Sequence, residues 1–399
     1  MTFKKLVGPL HLYLGLISGI IVFVISVTGC ILAFEQEIKS IVQTYRYNTP
    51  PEALAGKILP PSILAAKAQE VLPGKKANGV LYPGRGRNAE VGFYNLNPEY
   101  YYVVYINPYS GEIAKIWNED EDFFHFILHG HYYLWLPEKI GQAVVASATL
   151  IFLVMVVSGL ILWWPKNKAA SRQRFSIKWK ASWRRKNYDL HNVMGFYVLS
   201  VGLVFAVTGL VWGFEWFGQS FYTVTGGKGS DDYYNPASDT TAVSLVNSPA
   251  TAADKAWFQL RQEYPAAEEI NISIPTLPGE SIFSYVNFRA GTYYKVDYNY
   301  FDQYTLKRIK AEGPYTGKYS EANVAQTLRR MNYDIHTGAI LGLPGKILAF
   351  FASLICASLP VTGFLIWWGR RKKESRNKRK SARNMKPKHT APKVALQAK

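Results

Sequence analysis

His11-Leu12-Tyr13-Leu14-Gly15 opens an apolar run that reaches Thr28-Gly29 and then Phe34-Glu35. His191-Asn192-Val193-Met194-Gly195 opens a second run that reaches Thr208-Gly209 and then Phe214-Glu215. His, Gly, Thr-Gly and Phe-Glu recur in one register, with no insertion. A repeat on this scale governs the architecture and is weighed before any local feature. Each unit opens with a histidine at the mouth of a membrane-length helix.

A second pair of segments closes the units. One begins at His129-Gly130-His131 and the other at His336-Thr337-Gly338. His129 and His336 each stand eight residues before a proline, Pro137 and Pro344. An apolar stretch follows each, marked by Ser158-Gly159 or Thr362-Gly363 and ended by Trp163-Trp164 or Trp367-Trp368. The plan is helix, domain, helix, and then the same again.

Four segments of the 399-residue chain are apolar over membrane-spanning length, at 10–34, 139–164, 191–216 and 343–368. About 20 such residues cross a hydrocarbon core of about 30 Å. The formal charge of +18 is segregated, which argues against nucleic acid as its reason. The loop 165–188 holds nine basic residues, and 369–399 holds thirteen against one acid, Glu374. Residues 35–137 carry nine basic and eleven acidic side chains, and 215–343 carry eleven and fourteen, net charges of −2 and −3. Basic loops stay in the cytoplasm. The expected order is therefore a cytoplasmic N-terminus (1–9), helix 1, a periplasmic module (35–138), helix 2 and a basic cytoplasmic loop (165–190). Helix 3, a second periplasmic module (217–342), helix 4 and a basic cytoplasmic tail (369–399) follow. The fold class is membrane α-helical, with four transmembrane helices from an internal duplication and two periplasmic α+β modules, in a bacterial inner membrane.

The two cysteines, Cys30 and Cys356, lie in expected helices and form neither a disulfide framework nor a Cys-x-x-Cys-His haem attachment motif. Val27-Thr28-Gly29-Cys30 has the look of a lipoprotein cleavage box, but the apolar run continues past Cys30 to Phe34. Thr-Gly reads instead as a helix-packing element, since small residues let membrane helices approach.

Residues 49–57 read as a linker. In the first module a helix is expected at 62–71, with strands at 78–82, 91–95, 101–106 and 112–117. The second repeats that order, with a linker at 235–248, a helix at 250–264 and strands at 269–274, 281–288 and 292–298. Neither shows a nucleophile motif or a Gly-rich phosphate loop, so both read as binding or scaffold modules.

With Ile106-Asn107-Pro108-Tyr109-Ser110-Gly111-Glu112 in the first module, and Trp-Trp-Pro or Trp-Trp-Gly closing the even helices, the chain resembles the PepSY-associated transmembrane family over about residues 5–372. The modules would then be PepSY-like. The family includes inner-membrane reductases for siderophore-bound iron that resemble di-haem cytochromes, and others known only as iron-regulated membrane proteins. The resemblance implies two haem b groups and reduction of periplasmic ferric iron. Phe301-Asp302-Gln303-Tyr304-Thr305 departs from the pattern, with neither Pro nor Gly at its turn.

Of seven histidines, His389 lies in the basic tail and reads as solvated, and six sit at helix boundaries. Ionisable residues there are functional candidates. By topology His11 and His191 share the cytoplasmic end, and His129 and His336 the periplasmic end. Matched histidines facing across a pseudo-twofold axis would supply two axial imidazoles to a six-coordinate haem. Gly15 and Gly195 would make room for the ring. His131 is the substitute for His129. His125, His129 and His131, beside Glu121-Asp122, form a weaker non-haem metal candidate. Arg329 and Arg330 are candidates for haem propionates or an anionic chelate. Glu35 and Glu215 recur at the outer helix ends, where proton uptake competes with plain snorkelling. No nicotinamide or flavin fingerprint is visible, so the expected donor is quinol or another protein, and the expected acceptor a ferric siderophore or other ferric chelate. Two rival readings are a haemless anchor whose modules bind peptides or regulate a protease, and a metal-binding transport accessory.

Overall fold

The computed structural model describes residues 3–48, 58–165, 167–241 and 249–384. The linker 49–57 and His389 lie outside the described residues. Helix α1 (Phe3–Leu32) leads into the short α2 (Glu35–Val42). The first extramembrane segment carries α3 (Pro61–Val71), β1 (Gly79–Tyr82), β2 (Ala89–Leu96), β3 (Glu99–Ile106), β4 (Ile113–Asn118) and α4 (Phe123–Tyr133). Helix α5 (Glu138–Trp163), the short α6 (Lys168–Arg174) and α7 (Trp183–Gly213) follow. The second segment carries α8 (Glu215–Val224), α9 (Pro249–Glu263), β5 (Glu269–Ser273), β6 (Ile282–Asn287), β7 (Val296–Phe301) and α10 (Val324–Thr337). Helix α11 (Leu343–Asn384) ends the described chain.

Among the described residues, four helices are long and apolar enough to cross a bilayer: Phe3–Leu32, Glu138–Trp163, Trp183–Gly213 and Leu343–Ser375. They close a ring in the order α1, α5, α7, α11, so α1 faces α7 and α5 faces α11 across its centre. On α1, Leu6, Leu10, Tyr13, Ile17 and Ile20 are exposed at helical spacing along one face. An apolar stripe of that kind fits lipid contact. Helix α7 begins well before the apolar run, because Trp183-Arg184-Arg185-Lys186 continues the helix outside the hydrocarbon. Arg185 there holds buried Asp189 at 2.9 Å.

Beyond the helices the expectation of two separate modules gives way to one sheet. All seven strands join in the order β4-β3-β2-β1-β5-β6-β7. The joint is the antiparallel pair β1–β5, with Val80 opposite Ile272 and Tyr82 opposite Ile270. One row of side chains runs Val104, Val91, Val80, Ile272, Ser284 across both halves, on the face that α3 and α9 cover. Merging removes two open edges, which an isolated sheet of three or four strands would have to protect. The helices are joined too: Asp254 of α9 accepts from the Ser62 backbone N–H at 2.8 Å, satisfying a free donor in the first turn of α3.

Most expected strands stand within a residue or two of their places. The exception is 292–298, where Asn287 accepts from Arg289 N–H and Gly291 takes φ 80°, so a turn delays β7 to Val296. The turn lacking Pro and Gly keeps the geometry of its counterpart. Asn107 Oδ1 accepts from Tyr109 and Ser110 N–H, and Asp302 Oδ1 from Tyr304 and Thr305 N–H. Gly111 at φ 72° is matched by Leu306 at φ 58°. Within the expected linker 235–248, Ser238 donates to Glu280 O at 2.7 Å and Asp239 N–H to Asp302 at 2.6 Å, so this part is packed rather than exposed.

Candidate functional site

Each of four histidines rests on a hydroxyl residue followed by glycine. His11 Nδ1 lies 2.8 Å from Ser158 Oγ, and His191 Nδ1 2.9 Å from Thr362 Oγ1. His131 Nδ1 lies 2.9 Å from Thr28 Oγ1, and His336 Nδ1 2.7 Å from Thr208 Oγ1. The glycines complete each seat. A Cβ at Gly159, Gly363, Gly29 or Gly209 would stand 3.3–3.7 Å from Cε1 of the same imidazole. Thr28-Gly29 and Thr208-Gly209, read from sequence as helix packing, therefore seat histidines, as do Ser158-Gly159 and Thr362-Gly363. Gly15 and Gly195 do not: their neighbours are Met155 and Leu359.

The seats form two levels. His11 and His191 sit on α1 and α7, which face each other across the ring, and lie within electrostatic reach of one another. His131 and His336 sit on α4 and α10, with ring centroids 6.3 Å apart. On α1, His11 and Thr28 are 17 residues apart, as are His191 and Thr208 on α7. At about 1.5 Å per residue the two levels are about 25 Å apart along the helices. Burial lowers His131 to about 4, and burial with the facing His131 lowers His336 to about 3, so both rings are neutral. Neutral imidazole is the metal-binding form.

The repeat register favoured His129, but the structure puts His131 opposite His336. Pro137 and Pro344 are not equivalent: Pro137 stands just before α5, whereas Pro344 is the second residue of α11, and the turn between the helices is four residues (134–137) in the first half and five (338–342) in the second. Leu134 and Trp135, at φ 55° and 56°, make that tighter reversal, where Gly338 and Gly342 serve the second half. Two residues along a helix rotate a side chain by about 200°. His129 thus points away and packs on Tyr133 at 5.0 Å.

The other candidates do not converge. His125 stands 6.2 Å from Tyr101, ring to ring, and its backbone N–H is capped by Asp122. Among the described residues no group of three or more His, Cys, Asp or Glu side chains is placed to hold a metal ion, so the His125/His129/His131 cluster is not assembled. Arg329 pairs with Asp231 at 3.0 Å, and buried Arg330 donates to the carbonyls of Pro314, Val296 and Thr316. Their guanidinium groups brace the extramembrane segment, which corrects the reading of them as propionate or chelate contacts. Glu35 pairs with Lys39 at 2.8 Å, and Glu35 and Glu215 open α2 and α8, at the favourable end of the helix dipole.

Two asparagines went unnoticed in the sequence. Asn187 Nδ2 donates to Thr362 O at 3.0 Å, and Asn332 Nδ2 to Thr208 O at 3.1 Å. Each stands four residues before a seated histidine, on its helix face, and aligning the second-half histidines would have shown both. Asp334, fully buried on α10, accepts from Tyr293 N–H at 2.9 Å and ties the His336 helix to the second segment; burial pushes its carboxyl up to about 6. Trp212 and Phe205 pack against the His336 ring at 5.5 and 5.6 Å.

Two metal–imidazole bonds of about 2.0–2.1 Å, with about 1.1 Å from each nitrogen to its ring centre, span roughly 6.3 Å. The separation of the His131 and His336 rings fits one metal between them. Between the two levels, a largely apolar cleft of about 350 Å³ lies between α1 and α5, lined by Ile17, Ile21, Ala143, Ser147 and Ile151 among others.

These features define a class: a four-helix membrane protein with one extramembrane sheet and two levels of paired, half-buried histidines. The chain belongs to the family described as PepSY-associated TM region, whose model matches residues 9–370. No curated protein matches this chain.

Proposed function

We propose that this protein is a transmembrane ferric reductase, built by internal duplication, that holds two haem b groups. His11 and His191 would hold one iron, and His131 and His336 the other. The observation that carries this reading is the fourfold seat: four imidazoles, each held by a hydroxyl beside a glycine, on two levels, with the His131 and His336 rings 6.3 Å apart. Haem, when bound, supplies a one-electron carrier whose potential the protein tunes. The chain's own part is to present two imidazoles at each level and to exclude water from between them.

The segregated basic residues support a bacterial inner-membrane orientation, with both termini and the basic loop cytoplasmic and the sheet periplasmic. Electrons would enter near His11/His191 from quinol or a donor protein and leave near His131/His336. Each electron reduces one Fe(III) to Fe(II); a two-electron quinol would serve two ferric ions and release two protons. The acceptor in this reading is a ferric siderophore or similar ferric chelate.

The test is a reduced-minus-oxidised spectrum of the purified protein in mild detergent, with haem counted per chain. A bis-imidazole b-type spectrum with two haems per chain is the expected result, followed by reduction of a ferric chelate. A colourless protein, made with ample haem, rejects the reading and favours an anchor whose extramembrane sheet binds peptides.

A further inference from the structure

We propose that Thr28, Ser158, Thr208 and Thr362 are positioning residues that set the tautomer of the four seated histidines. Each keeps its proton on Nδ1 and leaves Nε2 as a bare lone pair. The role toward iron rests on the haem reading above; the tautomer itself does not.

The hydrogen bonds decide the direction. A hydroxyl has one proton to give. Thr28 gives it to Val24 O at 2.9 Å, Thr208 to Val204 O at 2.6 Å, Thr362 to Ser358 O at 2.9 Å and Ser158 to Met155 O at 3.2 Å. A hydroxyl committed to a carbonyl can only accept from the imidazole, so Nδ1 carries the hydrogen. Among the described residues none of the four Nε2 atoms has a hydrogen-bond partner, whereas all four Nδ1 atoms do. The opposite tautomer would set a bare Nδ1 against a hydroxyl whose proton is already committed, and the seat would lose its hydrogen bond.

The glycines set the tilt. Cε1 lies between the two ring nitrogens, and that is the atom each glycine faces. A Cβ would crowd the ring at Gly29 and Gly363, at 3.3 Å, and would meet it in ordinary contact at Gly159 and Gly209. Hydroxyl and glycine together therefore aim Nε2 away from the seat.

A hydrogen bond from Nδ1–H makes the ligand nitrogen more basic and strengthens metal binding. The hydroxyl's own bond to a carbonyl polarises it into a better acceptor. The more basic ligand favours ferric over ferrous iron, so losing the bond raises the potential.

Thr208→Val keeps the side-chain shape and removes the hydroxyl; Thr208→Ser restores it. The first readout is nitrogen NMR of histidine-labelled full-length protein in bilayers, produced without haem. Four histidines with protonated Nδ1 and bare Nε2 are expected, with one lost in Thr208→Val and regained in Thr208→Ser. Seated histidines protonated on Nε2 would overturn the assignment. The second readout is the haem-loaded protein. Thr208→Val is expected to raise the midpoint potential of the His131/His336 haem and to weaken its retention about 10–100-fold, while Thr208→Ser matches the parent. A Thr208→Val protein with unchanged potential and retention would overturn the positioning role. A colourless parent defeats the haem reading, and with it the role toward iron, while the tautomer readout still judges the hydroxyls.

Discussion

The histidines of the second half are held differently from those of the first. Four residues before His191 and His336 stand buried Asn187 and Asn332, each donating to the carbonyl of a seat threonine. Four residues before His11 and His131 stand buried Val7 and Ile127. Each facing pair therefore joins one imidazole whose helix is tethered by a directional bond to one whose helix is held by packing. A hydrogen bond fixes helix rotation and height; apolar contact tolerates sliding. One tethered member per pair sets the level, and the other can settle against it.

The largest expected effect tests the pairing itself. His336→Ala or His131→Ala should take haem from two per chain to one and abolish ferric-chelate reduction, while His191→Ala should remove the other haem. Haem quantification with spectra of each variant checks this, and retention of both haems in His336→Ala would sink the ligand assignment. Next comes the tether. Asn332→Leu leaves the Thr208 carbonyl without its side-chain donor and should cost about 1–3 kcal/mol, seen as easier denaturant unfolding and weaker retention of the His131/His336 haem alone. Equal loosening of both haems would show that the two levels are not independently held. Asp254→Ala removes the acceptor that binds α9 to the start of α3, and should cost about 0.5–2 kcal/mol in a denaturant titration without changing either haem spectrum. The smallest effect is the sharpest on register. His129→Ala should leave haem content and potentials at parental values, and loss of a haem there would return the ligand role to His129.

The halves also differ in how they turn from histidine to helix, and here reading the sequence misled. Aligning Pro137 with Pro344 pulled His129 into register with His336. Pro137 lies 21 residues before Ser158, whereas Pro344 lies 18 before Thr362, so the two prolines are out of step once the seat hydroxyls are matched. Left-handed Leu134 and Trp135 carry no composition signal, whereas Gly338 and Gly342 do. The seats were half legible: Thr-Gly and Ser-Gly stood out as recurrent, but their meaning required the helix opposite. The arginine pair misled for a different reason. A buried guanidinium has five donors to satisfy, and backbone carbonyls of its own segment met that need for Arg330.

Sequence alone determined the four spanning helices, because about 20 apolar residues with segregated charge admit few other environments. It also determined the turn at Asn107-Pro108-Tyr109-Ser110-Gly111 and most strands, which follow from local alternation and turn chemistry. Only the tertiary structure decided that the two modules share one sheet, since β1 and β5 meet across almost two hundred residues of chain and any strand edge of matching pattern is a formal partner. Only it decided which histidine faces His336, because the prolines used for alignment occupy different places in their helices and the two-residue step from His129 to His131 rotates a ring to the other side of its helix. Local periodicity is written in the chain; the partner that a hydroxyl, an imidazole or a strand edge finds is set by packing.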